Sequence, residues 1–170
     1  MQGPAVGKGF RGEEGHIGYL LQQAAITFRA AADSRLRDFG LSLSLYSVIT
    51  VLTREPGASA SDLARMCKQS PQSMNGVLDT LESQNLVARQ DHPVHRRVRQ
   101  VFLTEKGTQL VEQTRPLVDD LEDAVEDDYT QIELATVRRW LVASAVRLSE
   151  PQRSSGTNPA PGRTSVEPSP

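Results

Sequence analysis

A mainly α fold carrying one small β-hairpin is predicted by three observations. Apolar side chains recur at three- and four-residue steps over most of the chain, one short interval breaks that period, and a polar capping residue or a helix stop bounds most periodic stretches. The first stretch opens at Ile17: Leu20, Leu21, Ala24, Ala25, Phe28, Ala31, Ala32 and Leu36 form one side of an amphipathic helix, which Gly40 ends. Leu45, Val48, Ile49 and Leu52 repeat the pattern until Pro56 and Gly57 break the chain. Ser59 and Asp62 form a capping box ahead of Leu63, Ala64, Met66 and Cys67, so a third helix of about two turns starts there. Lys68 and Gln69 remain as a turn. Ser70 then reads as an N-cap with Pro71 at the first helical position, and Met74, Val77, Leu78 and Leu81 carry a fourth helix to about Gln84.

The period changes after this helix. Leu86, Val87 and Arg89 lead into the polar tract HPVHRR at 92–97, and Val101 and Leu103 flank Phe102 beyond it, which fits two strands joined by a basic hairpin. Thr104 caps a long helix carrying Leu110, Val111, Leu117, Val118, Leu121 and Val125, with a kink expected at Pro116, which has no N–H to donate. Thr130 and Glu133 form a second capping box, and Ile132, Leu134, Val137, Trp140, Leu141 and Val146 give the last helix its apolar side. Trp140 and Tyr129 read as packing residues. From Pro151 the composition shifts to Pro, Ser, Gly and Arg, and the tail to Pro170 is expected to be disordered.

Composition narrows the function. The chain has 170 residues, 38% hydrophobic and 24% charged, which suits one globular domain or a small module with additional helices. No apolar run approaches a membrane span and no leader pattern opens the sequence, so a cytoplasmic protein is expected. Cys67 is the single cysteine, which rules out an intrachain disulfide, and its apolar position favours a buried structural thiol. Enzymatic activity has no support: there is no nucleophile motif or glycine-rich phosphate loop, and His16, His92 and His95 sit in terminal or loop segments. No catalytic residue and no cofactor is expected. His92 and His95 flank Pro93 without a second ligand cluster, so no metal site is expected either.

The net charge of −2 looks wrong for a nucleic-acid binder, but its distribution matters more than its sum. Arg89, Arg96, Arg97 and Arg99 crowd the middle of the chain around Asp91, whereas Asp119, Asp120, Glu122, Asp123, Glu126, Asp127 and Asp128 crowd a later, solvated helix face. Helix, helix, tight turn, helix and basic hairpin is the order of a winged helix-turn-helix, whose helix after the turn enters the major groove. The polar residues opening that helix, Ser70, Gln72, Ser73 and Asn75, carry donors and acceptors suited to base edges and phosphates. Arg96, Arg97 and Arg99 lie where a wing would meet the DNA backbone or the narrow minor groove. The alternative is a winged helix used only for protein contacts; salt-dependent binding to duplex DNA separates the two.

Between residues 17 and 148 the chain resembles the MarR (multiple-antibiotic-resistance regulator) family. The resemblance rests on SASDLARMC at 59–67, VLDTLESQNLVAR at 77–89 and, most closely, VFLTEKG at 101–107. It implies a homodimeric, cytoplasmic transcription regulator, usually a repressor, that binds a pseudopalindromic operator in double-stranded DNA. It also implies N- and C-terminal dimerisation helices around the winged helix-turn-helix. The expected organisation is a flexible N-terminus at 1–15, a dimerisation helix at 16–40, the DNA-binding lobe at 41–103, dimerisation helices at 104–150 and a disordered tail at 151–170. Relatives often bind a small aromatic or phenolic effector between the dimer and DNA-binding lobes, for which helix position and polarity nominate His16, Tyr19, Arg29 and Tyr46. Two positions depart from the family pattern: Gly76 stands where a basic or longer polar side chain is common, and His95 where an aspartate usually fixes a wing arginine. A histidine there makes wing geometry sensitive to pH near neutrality.

Overall fold

A computed structural model describes residues 5–91 and 99–149; the tract holding His92, His95, Arg96 and Arg97, and the tail from Pro151, lie outside the described residues. Six α-helices and two strands follow in order among the described residues: α1 (Ile17–Leu36), α2 (Leu43–Arg54), α3 (Ala60–Met66), α4 (Pro71–Ser83), β1 (Val87–Asp91), β2 (Arg99–Leu103), α5 (Glu105–Glu126) and α6 (Gln131–Ser149). The chain forms two compact units divided between Asp127 and Asp128, with α1 to α5 and the hairpin in the first and α6 in the second. No described helix is long and apolar enough to cross a membrane.

Local chemistry accounts for the boundaries. Ser42, Ser59, Ser70 and Thr104 each cap the helix that follows by accepting a hydrogen bond from a backbone N–H of its first turn. The second capping box closes as well: Thr130 donates to Glu133 at 2.6 Å, which holds that carboxyl below its usual pKa. Three stops share one device, a left-handed residue that folds the chain back onto the last turn. At Gly40 (φ 69) Leu41 N–H reaches Leu36 O, at Lys68 (φ 53) Gln69 N–H reaches Ala64 O, and at Asn85 (φ 57) Leu86 N–H reaches Leu81 O. Gly40 was readable from the sequence. Lys68 and Asn85 were not, because neither is the glycine that usually signals this conformation. Helix α5 runs through Pro116 as one element, as the apolar period past it requires.

A single core unites these helices in the first unit. Leu36, Val48, Ile49, Leu52, Leu63, Met74, Leu78, Leu81, Leu86, Val101 and Val111 are all essentially removed from solvent. Each large side chain among them contributes roughly 1.5–3 kcal/mol by leaving water. Polar links tie the surrounding elements: Asp33 of α1 accepts from Leu43 N–H at the start of α2 (2.6 Å), and Arg35 donates to Leu117 O of α5 (3.0 Å).

The hairpin is antiparallel, from Val87 opposite Leu103 to Asp91 opposite Arg99. The loop after α2 docks against β2 through Gly57 N–H to Val101 O and Val101 N–H to Ala58 O, so the wing base is fixed to the helical lobe. The VFLTEKG tract explains itself at the other edge. Thr104 donates to Asn85 O, Lys106 to Gln84 O, and Gly107 lies so close to the Leu86 carbonyl that a Cβ could not be accommodated. Replacing Gly107 by alanine is therefore expected to lower unfolding free energy by about 2 kcal/mol or more through forced backbone displacement, measurable as a reduced urea midpoint.

Candidate nucleic-acid interface

Helix α4 is divided lengthwise. Met74, Leu78 and Leu81 are wholly buried, whereas Gln72, Ser73, Asn75, Gly76 and Asp79 face solvent. Its start is held by the turn before it: Gln69 donates from Nε2 to Ser44 Oγ of α2 at 2.8 Å, and Ser70 caps the first turn by accepting from Ser73 N–H at 3.1 Å. Its end is held by Lys106 of α5 and by Gln84, whose side chain donates to Gly40 O. The exposed face is thus presented by a helix anchored at both ends.

The four residues nominated on α4 divide into two pairs. Ser70 and Ser73 join hydroxyl to hydroxyl at 2.8 Å, so part of their hydrogen-bonding capacity serves the cap. Gln72 and Asn75 are exposed and bond to no described residue, which leaves both amides available to a ligand. Asn75 also borders a cleft of about 320 Å³ with Ser59, Ser61, Arg89, Arg99 and Val101, between the start of α3, the flank of α4 and the hairpin. Arg99 is exposed at the outer end of the described hairpin and only loosely paired, its Nε lying 4.0 Å from Asp91. Arg96 and Arg97 fall outside the described residues.

The four nominated effector residues do not form one site. His16 precedes α1, Tyr19 packs on Phe10 with ring centroids 5.8 Å apart, and Tyr46 is sunk in the core. Arg29 alone of the four lines a cavity of about 540 Å³, walled also by Ser44 and Ser47 of α2, Lys68 of the turn and Ser73 of α4. Sequence reasoning missed Lys68, Ser44 and Ser47 because the cavity exists only once α1, α2 and the turn converge. Cys67 borders the same cavity, half-buried, and burial pushes its thiol pKa up.

Fold and surface define a class, a winged helix-turn-helix with an anchored, polar-faced helix after the turn. A sequence model of the MarR family matches residues 39–98. The transcriptional repressor Rv2887 of Mycobacterium tuberculosis is 31% identical over 106 residues, 62% of this chain and 76% of the repressor. Its crystal structure with p-aminosalicylic acid superposes with a TM-score of 0.61 at 28% identity, covering 76% of this chain and 98% of that one. CouR of Rhodococcus jostii bound to p-coumaroyl-CoA gives 0.70 at 26% identity, covering 81% and 95%. MepR of S. aureus in complex with DNA gives 0.73 at 19% identity, covering 78% and 98%. The chain belongs to the MarR family, whose members are transcription regulators rather than enzymes.

Two outcomes test the site's local physics. A Cβ added at Gly76 meets nothing within 4 Å, so Gly76→Ala should raise stability by about 0.5–1 kcal/mol through backbone entropy alone, seen as a higher Tm. The raised thiol pKa keeps Cys67 protonated at neutral pH. Its alkylation by iodoacetamide in the folded chain should be slow at pH 7 and reach half its limiting rate only above the pH at which an unhindered cysteine does so.

Proposed function

We propose that this chain is a homodimeric repressor that inserts two copies of α4 into successive major grooves of a pseudopalindromic operator and releases it when a small aromatic or phenolic effector binds. The observation that carries the reading is the bare amide pair, Gln72 and Asn75, on the solvent face of a helix whose opposite side is sunk in the core. A side-chain amide offers a donor beside an acceptor, the arrangement that matches N6 and N7 of adenine. Ser70 and Ser73 sit where the positive end of the helix dipole would approach a phosphate. Arg99, with Arg96 and Arg97, supplies the charge of the wing. The 31% identity to a repressor supports repression as the outcome.

Dimerisation is supported by apolar surface that the described residues leave exposed. Of the apolar stripe on α1 only Ala32 and Leu36 are buried, while Ile17, Leu21 and Ile26 are exposed. Helix α6 buries Leu134 and leaves Ile132, Val137, Trp140, Leu141 and Val146 exposed. Apolar surface on this scale is covered by a partner in soluble proteins, and a second copy carries the same stripes. Trp140 and Tyr129, read as packing residues, are likewise exposed among the described residues.

The effector reading is supported by the cavity beside α4. Arg29 and Lys68 both line it without a carboxylate partner among the described residues, and the Ser44 and Ser47 hydroxyls add neutral donors, a lining suited to an aromatic carboxylate. The relatives bound to p-aminosalicylic acid and p-coumaroyl-CoA carry ligands with an aromatic ring. A ligand here competes for Ser44, which holds the turn before α4 through Gln69.

The test is a mobility-shift titration against the duplex beside the chain's own gene, across a salt series with nonspecific competitor. Gln72→Ala and Asn75→Ala should each weaken specific binding by roughly 1–3 kcal/mol. Arg97→Ala should weaken binding to every sequence and flatten the salt slope by about one. A folded dimer that shows no salt-dependent affinity for any duplex sinks the proposal in favour of a module for protein contacts.

A further inference from the structure

The base of the wing is joined to the flank of α4 by a three-residue ionic cluster. Arg89 on β1 donates from Nη2 to Asp79 Oδ1 at 2.6 Å, and its Nε lies 3.6 Å from Glu82 Oε2. Asp79 and Glu82 are one turn apart, and Asp79 follows Asn75 by one turn, so amide and carboxylates lie along one edge of the helix. Burial is unequal: the Arg89 side chain is 18% exposed, Glu82 41% and Asp79 66%. The guanidinium is sunk between strand and helix while its partners look outward. An arginine serving a phosphate has the opposite character, as Arg99 does with 58% of its side chain exposed and its nearest carboxylate 4.0 Å away.

From this geometry we infer that Arg89 is a positioning residue for base readout, one that sets the roll of α4 about its own axis. The inference rests on the DNA-reading role proposed above. Apolar packing of Met74, Leu78 and Leu81 holds the helix to the lobe but is non-directional, so it tolerates small rotations. A guanidinium is planar, with donors in a fixed fork, and two carboxylates engaged at different nitrogens define a direction as well as a distance. The hold is applied from β1, which is itself tied through β2 to the loop after α2, so α4 is referenced to the rest of the lobe. A roll of a few degrees moves the Gln72 and Asn75 amides along the base edges, and paired hydrogen bonds are sensitive to that displacement. Without Arg89, moreover, Asp79 and Glu82 would bring two uncompensated negative charges to the edge of a helix entering a polyanion.

The measurement that separates positioning from charge is the ratio of affinities for the duplex that the wild-type chain selects from a random pool and for a mixed-sequence duplex. Arg89→Gln, and separately Asp79→Asn with Glu82→Gln, should each lower that ratio about tenfold. The second variant is decisive, because it makes the DNA-facing edge less negative and electrostatics alone would strengthen binding to both duplexes. Arg89→Lys keeps the charge without the fork and should retain part of the ratio. A wild-type ratio in the Asp79→Asn, Glu82→Gln variant overturns the inference; so does a salt slope flattened by about one in Arg89→Gln, which would make Arg89 a phosphate contact. Hydrogen exchange in the full-length dimer keeps the test independent of DNA. Faster exchange of the β1 and α4 amides at an unchanged unfolding midpoint is expected in both variants, and unchanged exchange overturns the inference. If the wild-type chain selects no duplex, the DNA-reading role falls, and exchange alone still decides whether Arg89 holds α4.

Discussion

Helix α4 has to be held firmly from one side and from its ends, because the other side must stay bare. This constraint organises the first unit. Burying Met74, Leu78 and Leu81 removes most of one helix face from water, and the core around them is built from residues of every other element of that unit. The exposed face can then be polar without loss of stability, since α4 does not depend on it for attachment.

The attachments at the two ends differ in kind. At the start, the hold is a hydrogen bond between neutral side chains, Gln69 to Ser44, beside a polar cavity. At the end it is backbone and charge: the left-handed Asn85, the Lys106 ammonium on the Gln84 carbonyl, and the close approach of Gly107 to Leu86. The first is open to competition by a polar ligand, whereas the second is closed by steric fit. The start of α4 is thus held beside an open polar cavity, and its end is closed sterically where α5 begins.

Charge is distributed by the same logic. The net negative charge of the chain resides largely in the run from Asp119 to Asp128, beyond the helix-turn-helix and hairpin. Within the lobe, the acids of α4 are answered by Arg89. The apolar surfaces of α1 and α6 are the complementary case, stripes with the right period that stay largely exposed among the described residues. An amphipathic pattern specifies that a face must be buried and does not say by what.

The sequence by itself determined the element order, the helix starts at Ser59, Ser70, Thr104 and Thr130, the hairpin, and the polar face of α4. These follow from local rules: three- and four-residue apolar steps, side-chain caps, and proline or glycine breaks act over a turn or two of chain. It also carried the family resemblance, because VFLTEKG encodes a cap, a carbonyl-binding ammonium and a glycine without room for a side chain within four positions. Only the tertiary structure decided the rest. Arg89 and Arg99 read as members of one basic stretch, but the fold turns Arg89 inward onto α4 and leaves Arg99 outside. Tyr46, nominated for a ligand pocket, lies in the core, and Arg29 lines a cavity formed where α1, α2 and the turn meet. Lys68 and Asn85 adopt left-handed conformations that their identities do not announce, imposed by the closing of one helix onto the next. Each of these turns on residues brought together from different elements or on backbone closure, and local periodicity holds no record of either.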